Sequence, residues 1–575
     1  LTCPGGFSND EMSNRVWVVA STLELREGSA VDVTGGGYGP AQGPGFVAAD
    51  TVAESNKRGG SHAGRQGYGR SYWQTPAPGA PYGDPAYPTA PGTGSGTANG
   101  GGAVLLQADS IVMNGAISAD GAQGNAPGSG GSVLLDTTTV AGHGTISASS
   151  VSSKPTDVGY GGGSGGRIAV RYDAAAEDAV ADFALVCTAR GAEKAENKMT
   201  RSIVSGDMGT VWMSDARRYL QNAPTMRFAG KLLAHDWTAW TVAGDLAVTD
   251  QLGFADGFAL RVAGDLSVQG DHMFGKRLEL SGAKLSVGGS VLVKGAGLRL
   301  LDGTHATVAG DLTEESVGAS YMSQGADLWL QAAPTNGVAA ATPAKDARHT
   351  LTNGVTATLD VGGAWTMGAN TYYLPFASCE NGAVVRATAR KFVMDAAATV
   401  DATHGGWLPG MGPGTAVAHN HGASYGGKGL NASNGVFGDK KRPVFPGGPC
   451  NSTWEGAGLV WIEVNKMSAH GTIAAGGHAG TQWVCPAAGG GILLKAYNMD
   501  LTGATLDANA GKVTTGYDEV SGGGRIAIWS SDLVTNAQTR ISASATEDTY
   551  NNPPHKAEDG TIYYGTLGGF RIYVR

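Results

Sequence analysis

Two arginines stand where a glycine run meets an apolar strand. Arg167 closes GGGSGG and opens RIAV, and Arg525 closes SGGG and opens RIAI. In a β-helical enzyme that cleaves acidic polysaccharides, an arginine in such a place can stabilise developing charge or assist a proton transfer. Both residues recur at matching places in the chain, however, and a residue that repeats with a fold is expected to serve the fold. The rigid fork of guanidinium N–H donors suits carbonyls left unpaired by a glycine run. Arg167 and Arg525 are therefore expected to anchor loops, and no residue is assigned a catalytic role.

The carboxylates follow the same logic. Asp32 recurs as Asp401 and Asp84 recurs as Asp439. Closing a turn on nearby amides is the plain role for such residues, again loop anchoring. Calcium is the candidate ion if these carboxylates and loop carbonyls bind one, and no other cofactor is expected. His419 and His421, in AHNHGAS, alternate and would share a strand face, which could hold a metal; no third ligand accompanies them. No GxSxG, HExxH or phosphate-binding glycine–lysine motif is present. Aromatic residues crowd the glycine-rich stretches, and Tyr72, Trp73, Tyr82, Trp407, Tyr425 and Trp454 are the candidates for glycan or subunit contact.

The elements that would position these residues come in two copies. AVDVTGGGYGPAQGPG from Ala30 matches TVDATHGGWLPGMGPG from Thr399; SHAGRQG from Ser61 matches SYGGKG from Ser424; YGDPAYPTAPG from Tyr82 matches FGDKKRPVFPG from Phe437. The order continues to the tail, where GDMGTVWM from Gly206 answers EDGTIYYG from Glu558. Internal repetition on this scale decides the architecture. Residues 1–215 form the first copy, 391–575 the second, and 216–390 a plainer middle. That middle repeats VAGDLAV at Val242, VAGDLSV at Val262, VGGSVLV at Val287, VAGDLT at Val308 and VGGAWTM at Val361. Strand-length apolar bursts at these intervals predict an all-β chain, a parallel β-solenoid with long glycine-rich loops. Antiparallel β-sandwich repeats are the rival architecture. The Gly-Asp and Gly-Gly pairs are expected at corners, where glycine supplies unusual backbone angles.

Composition narrows the function. The chain has 575 residues with 93 glycines, 41% hydrophobic and 15% charged residues, and a formal net charge of −9. No Lys/Arg cluster of the kind that tracks phosphates is evident, so nucleic acid is not an expected partner. No apolar stretch is long enough for a membrane span. Cys3, Cys187, Cys379, Cys450 and Cys485 follow no CxxC spacing; Cys450 and Cys485 occupy corresponding regions of neighbouring segments and could pair in an oxidising compartment.

The succession GGGYG, SHxGRxG, YGD, GGGAVLL, GSGGSVLL, GTISA, GGGSGGRIAV and GTVWM resembles glycine-rich β-helical repeat regions of large secreted or surface proteins of environmental bacteria. That resemblance covers both copies but not the middle. It implies a β-helical stalk or surface region, sometimes accompanied by lectin-like modules. The expected function is an extracellular or cell-surface structural protein: a stalk, an adhesin or a self-assembling fibre subunit whose main partner is itself. Its rivals are a polysaccharide lyase or hydrolase on the same scaffold, and a non-catalytic adhesin with polysaccharide as partner.

Overall fold

The computed structural model describes residues 1–9, 15–48, 57–67, 79–153, 160–193, 205–222, 227–271, 275–318, 325–332, 355–377, 382–403, 405–407, 409–416, 421–432, 435–450, 455–480, 485–513, 520–547 and 555–568. Two compact units divide the chain. One holds Leu1–Ala239, Ala247–Ala255 and His272–Glu279; the other holds Trp240–Leu246, Asp256–Asp271 and Leu280–Arg575.

In the first unit a long strand recurs once per coil: Val16–Leu25, Ala103–Met113, Ser132–Ala141, Arg167–Arg171 and Thr210–Met213, each paired in parallel with the next. A short strand follows in the same way: Ala30–Asp32, Ala116–Ser118, Thr145–Ser147 and Val186–Thr188. Every pairing between the strands of the described residues is parallel, which excludes the antiparallel sandwich. The alternation of AVLLQADSIVM explains the path. Val104 and Leu106 face inward, then Ile111 and Met113, so the inward set changes parity between Leu106 and Ile111 and the strand must corner there to keep facing one core.

The third side of each coil has no regular strand, as glycine-rich text predicts, but it is buried. Gly37 N–H donates to Gly100 O at 2.8 Å, Gly101 to Ser129 O at 2.9 Å, Gly130 to Ser164 O at 3.0 Å and Gly165 to Asp207 O at 2.9 Å, linking coil to coil. Others cross the interior: Gly131 donates to Ala119 O, Gly166 to Ala148 O and Gly209 to Ala189 O, each at 2.7 Å. Two backbones thus touch with no side chain between them. A Cβ on Gly101 would lie 2.0 Å from Ala119 O, and one on Gly130 would lie 2.0 Å from Ala148 O. Neither residue has a positive φ, so glycine is required here for space.

The second unit begins with short strands. Ala259–Val262, Lys284–Val287 and His305–Val308 stack in parallel, as do Leu266–Gln269, Val291–Lys294 and Leu312–Glu315. The GD corners between them carry a ladder. Asp245 Oδ1 accepts from Asp265 N–H at 2.8 Å, Asp265 Oδ1 from Ser290 N–H at 2.7 Å, Ser290 Oγ from Asp311 N–H at 3.1 Å, and Asp311 Oδ1 from Ala364 N–H at 2.7 Å. The corners fall where sequence predicts, but for another reason. Gly264, Gly289 and Gly363 have ordinary φ values, and a Cβ on any of them would lie 2.1 Å from the carboxylate of the coil below.

The second copy then repeats the first. Val355–Met367 and Val384–Met394 close the middle segment with longer strands, and the long strands that follow in the second copy are Leu459–Ala469, Gly491–Asp500, Arg525–Trp529 and Thr561–Gly565, each paired in parallel with the next. Its glycine side closes identically: Gly524 N–H donates to Ala508 O at 2.8 Å, and a Cβ on Gly489 would lie 1.9 Å from the same oxygen. Trp365, fully buried, fills the coil between Tyr373 and Phe392, both 4.8 Å away between ring centroids, with its indole N–H on Glu314 Oε1 at 2.8 Å. Among the described residues no helix is long and apolar enough to cross a membrane.

Candidate functional site

In each copy the YGD or FGD segment crosses the outer face of the long strands as a strap, and an arginine on the strand beneath holds it. Arg167 Nε donates to Tyr82 O at 2.9 Å and its Nη1 to Thr210 Oγ1 at 3.4 Å. Arg525 Nε donates to Phe437 O at 3.0 Å and its Nη1 to Thr561 Oγ1 at 3.0 Å. Burial presses both guanidinium pKa values down, opposed by Tyr82 and Asp84 in one copy and by Tyr425 and Asp439 in the other. An arginine so placed stays charged and spends its donors on the strap.

The repeated carboxylates close turns. Asp84 Oδ1 accepts from Ala86 N–H and Asp439 Oδ1 from Lys441 N–H, both at 2.8 Å; Asp32 Oδ1 accepts from Thr34 N–H at 2.9 Å and Asp401 Oδ1 from Thr403 N–H at 2.8 Å. Among the described residues no three His, Cys, Asp or Glu side chains gather as metal ligands. His421 is half-buried, and His419 lies outside the described residues, as do Tyr72, Trp73 and Trp454.

Beneath the straps the copies diverge. In the first, His62 is fully buried against Tyr82, 4.6 Å between ring centroids, with its Nδ1 2.8 Å from Gly130 O. Tyr82, half-buried, donates its hydroxyl to Pro91 O at 2.7 Å. Desolvation, then the Arg167 charge, press the His62 pKa down to about 3. In the second copy Tyr425 takes this place, its ring tilted by 46° against Phe437 at 4.8 Å between centroids, with Arg525 over its ring at 5.5 Å. Two expected contact residues are thereby corrected. Tyr425 is 0% exposed and Trp407 is 4% exposed, so both are packing rather than docking surface. Trp407 fills space that Gly382 and Gly412 leave open, where a Cβ would lie 2.1 and 2.6 Å from its ring. His62 escaped notice in the sequence, although the pairing of SHAGRQG with SYGGKG carried the signal.

Cys450 and Cys485 form a disulfide with Cα atoms 5.7 Å apart, buried beside Ala416. Cys187 is a free thiol whose pKa burial pushes up to about 12.

The strap tips differ most. Pro85, Ala86 and Tyr87 of the first copy are replaced by Lys440, Lys441 and Arg442, all exposed. Arg442 lies over the Trp461 ring at 5.6 Å and Lys441 Nζ over the Tyr563 ring at 5.7 Å. The Trp529 indole donates to Lys441 O at 2.8 Å. On the strands below, Glu463 Oε1 accepts from the Trp461 indole and from Lys495 Nζ, both at 2.8 Å. In the first copy the corresponding face has Arg171 over Tyr87 at 5.1 Å, with Asp136 3.4 Å from Arg171 Nε. Three basic residues in a row do not read as a cluster in the sequence, because the remaining cations arrive from distant strands.

Compared with known proteins, the chain matches no family model, no curated protein and no solved structure.

Proposed function

We propose that this chain is an extracellular structural protein, a β-solenoid portion of a surface stalk, adhesin or fibre. The observation that carries the reading is the fate of the best candidates for chemistry: Arg167 and Arg525, 6% and 5% exposed, are both consumed in fastening a strap to the sheet. A lyase or hydrolase needs its acid and base side chains free to reach a bound substrate. The Cys450–Cys485 bond supports an oxidising compartment. Self-assembly is the natural use of a duplicated solenoid, since both copies present related outer faces.

The reading is tested by trapping thiols in protein taken directly from its source cells and mapping the cysteines by mass spectrometry. Cys450 and Cys485 should be recovered as one cross-linked peptide pair. Recovery of both as alkylated free thiols would remove the extracellular reading.

A further inference from the structure

The strap of the second copy carries a surface that the scaffold role does not use. Arg386, Lys441, Arg442 and Lys495 converge on the outer face around Trp461, Trp529 and Tyr563, with exposed Lys440 next to them on the strap tip and Glu463 and Asp439 the carboxylates among them. Of these five cations, the Lys495 ammonium is paired with Glu463. Asp439 turns its carboxylate to its own turn and to the buried Arg525. Lys440, Lys441 and Arg442 have no carboxylate partner among the described residues, in a chain whose formal net charge is −9.

We propose that this face binds an anionic polysaccharide, taking carboxylate or sulfate groups of the glycan on Lys441 and Arg442. The rings underneath are what make these cations a site. A guanidinium held over an indole at 5.6 Å spends no N–H donor on the ring, so its fork is available to a carboxylate or sulfate. The Trp529 indole bond to Lys441 O fixes the strap between the two cations. Side-chain freedom is thus already lost before a ligand arrives, which lowers the entropic cost of binding.

Spacing favours a polysaccharide over a nucleic acid. Trp461, Leu493, Ala527 and Tyr563 are successive partners across the sheet. Three interstrand steps place the rings under Arg442 and Lys441 roughly 14 Å apart. Lys441 and Arg442 are adjacent in the chain, so they splay in opposite directions to reach these rings. Anions spaced along a chain of sugars can meet that pattern, whereas duplex DNA brings charge about every 3.4 Å per strand and, like any nucleic acid, meets the repulsion of an acidic protein. The first copy lacks the device, having Pro85, Ala86 and Tyr87 at the strap tip.

The experiment measures binding of the full chain to polygalacturonate, dextran sulfate, neutral dextran and single-stranded DNA at low and moderate salt. It is repeated with the triple variant Lys440→Pro, Lys441→Ala, Arg442→Tyr, which installs the strap tip that the first copy already tolerates. The wild type should bind polygalacturonate or dextran sulfate and ignore neutral dextran. The triple variant should bind about tenfold more weakly or worse with an unchanged melting temperature, and Arg171→Ala in the first copy should bind as the wild type. Preference for polygalacturonate would assign carboxylates, preference for dextran sulfate sulfate esters. Equal binding by wild type and triple variant, no binding to either anionic glycan, or tighter binding to DNA would each overturn the proposal. None of these outcomes bears on the scaffold reading, whose test is the state of the cysteines.

Discussion

Arg167 and Arg525 make the same bonds in different copies: Nε to the carbonyl of Tyr82 or Phe437, at 2.9 and 3.0 Å, and Nη1 to the hydroxyl of Thr210 or Thr561. The arginine, the strap and the threonine of the next coil form one fastening, used twice. Replacing Arg525 by Met should leave the Phe437 carbonyl without its donor beneath the strap. The expected cost is about 2 kcal/mol, the range for hydrogen bonds from a charged donor. Limited proteolysis should then cut within 437–446 before the rest of the second unit opens. A variant that melts and resists protease like the wild type would show that the strap is held by other means.

The glycine layer makes a sharper demand. Gly130→Ala and Gly489→Ala each force a methyl group to within 2.0 and 1.9 Å of a backbone oxygen that cannot move without opening the coil. Each should cost about 3 kcal/mol or prevent folding. Gly244→Ala meets nothing within 4 Å and should change stability by less than about 0.5 kcal/mol. Chemical denaturation of the three variants decides it, and equal tolerance at all three positions would refute the packing explanation.

That layer also marks the limit of what could be read in advance. Parallel stacking was legible because apolar bursts recur with the same outward and inward alternation, as in AVLLQ and SVLLD, and because VAGDL returns at nearly constant intervals. The burial of the glycine runs was not legible, since glycine reads alike whether it supplies a backbone angle or an absent side chain. The buried roles of Trp407 and Tyr425 were hidden for a related reason: Trp407 fills the space that Gly382 and Gly412 leave free and Tyr425 packs beside Gly438, and nothing in the sequence marks these glycines as making room for a ring. The cationic face was hidden because Arg386, Lys441 and Lys495 come from three separate elements.

The disulfide should support the second unit. Its cysteines are 35 residues apart, for which chain-entropy arguments give about 3–4 kcal/mol. Reduction, or the Cys450→Ser and Cys485→Ser pair, should lower the melting temperature of that unit. An unchanged transition under reducing conditions would mean that the bond constrains nothing already lost on unfolding.

His62 predicts an acid sensitivity of the first copy's strap. Its folded pKa of about 3 lies below the ordinary 6.5, so the unfolded chain takes up the proton first. Above pH 6.5 the group contributes no pH dependence; as pH falls from 6.5 toward 3 stability is lost, by about 1.4 kcal/mol per unit. Between neutrality and pH near 5 the loss from this residue should be about 2 kcal/mol. His62→Tyr, the residue that Tyr425 represents in the second copy, should lack that component in urea unfolding at the two pH values. Equal acid losses in wild type and variant would show that His62 accepts a proton in the folded state.

The most direct test of a scaffold whose arginines are spent on structure is turnover. The purified full chain is incubated with a panel of acidic and neutral polysaccharides, and the products are assayed for new reducing ends and for unsaturated uronates. The account predicts neither above a no-protein control, even with glycans that the second-copy face retains. Sustained product formation, abolished by Arg167→Lys or Arg525→Lys in a folded variant, would contradict it.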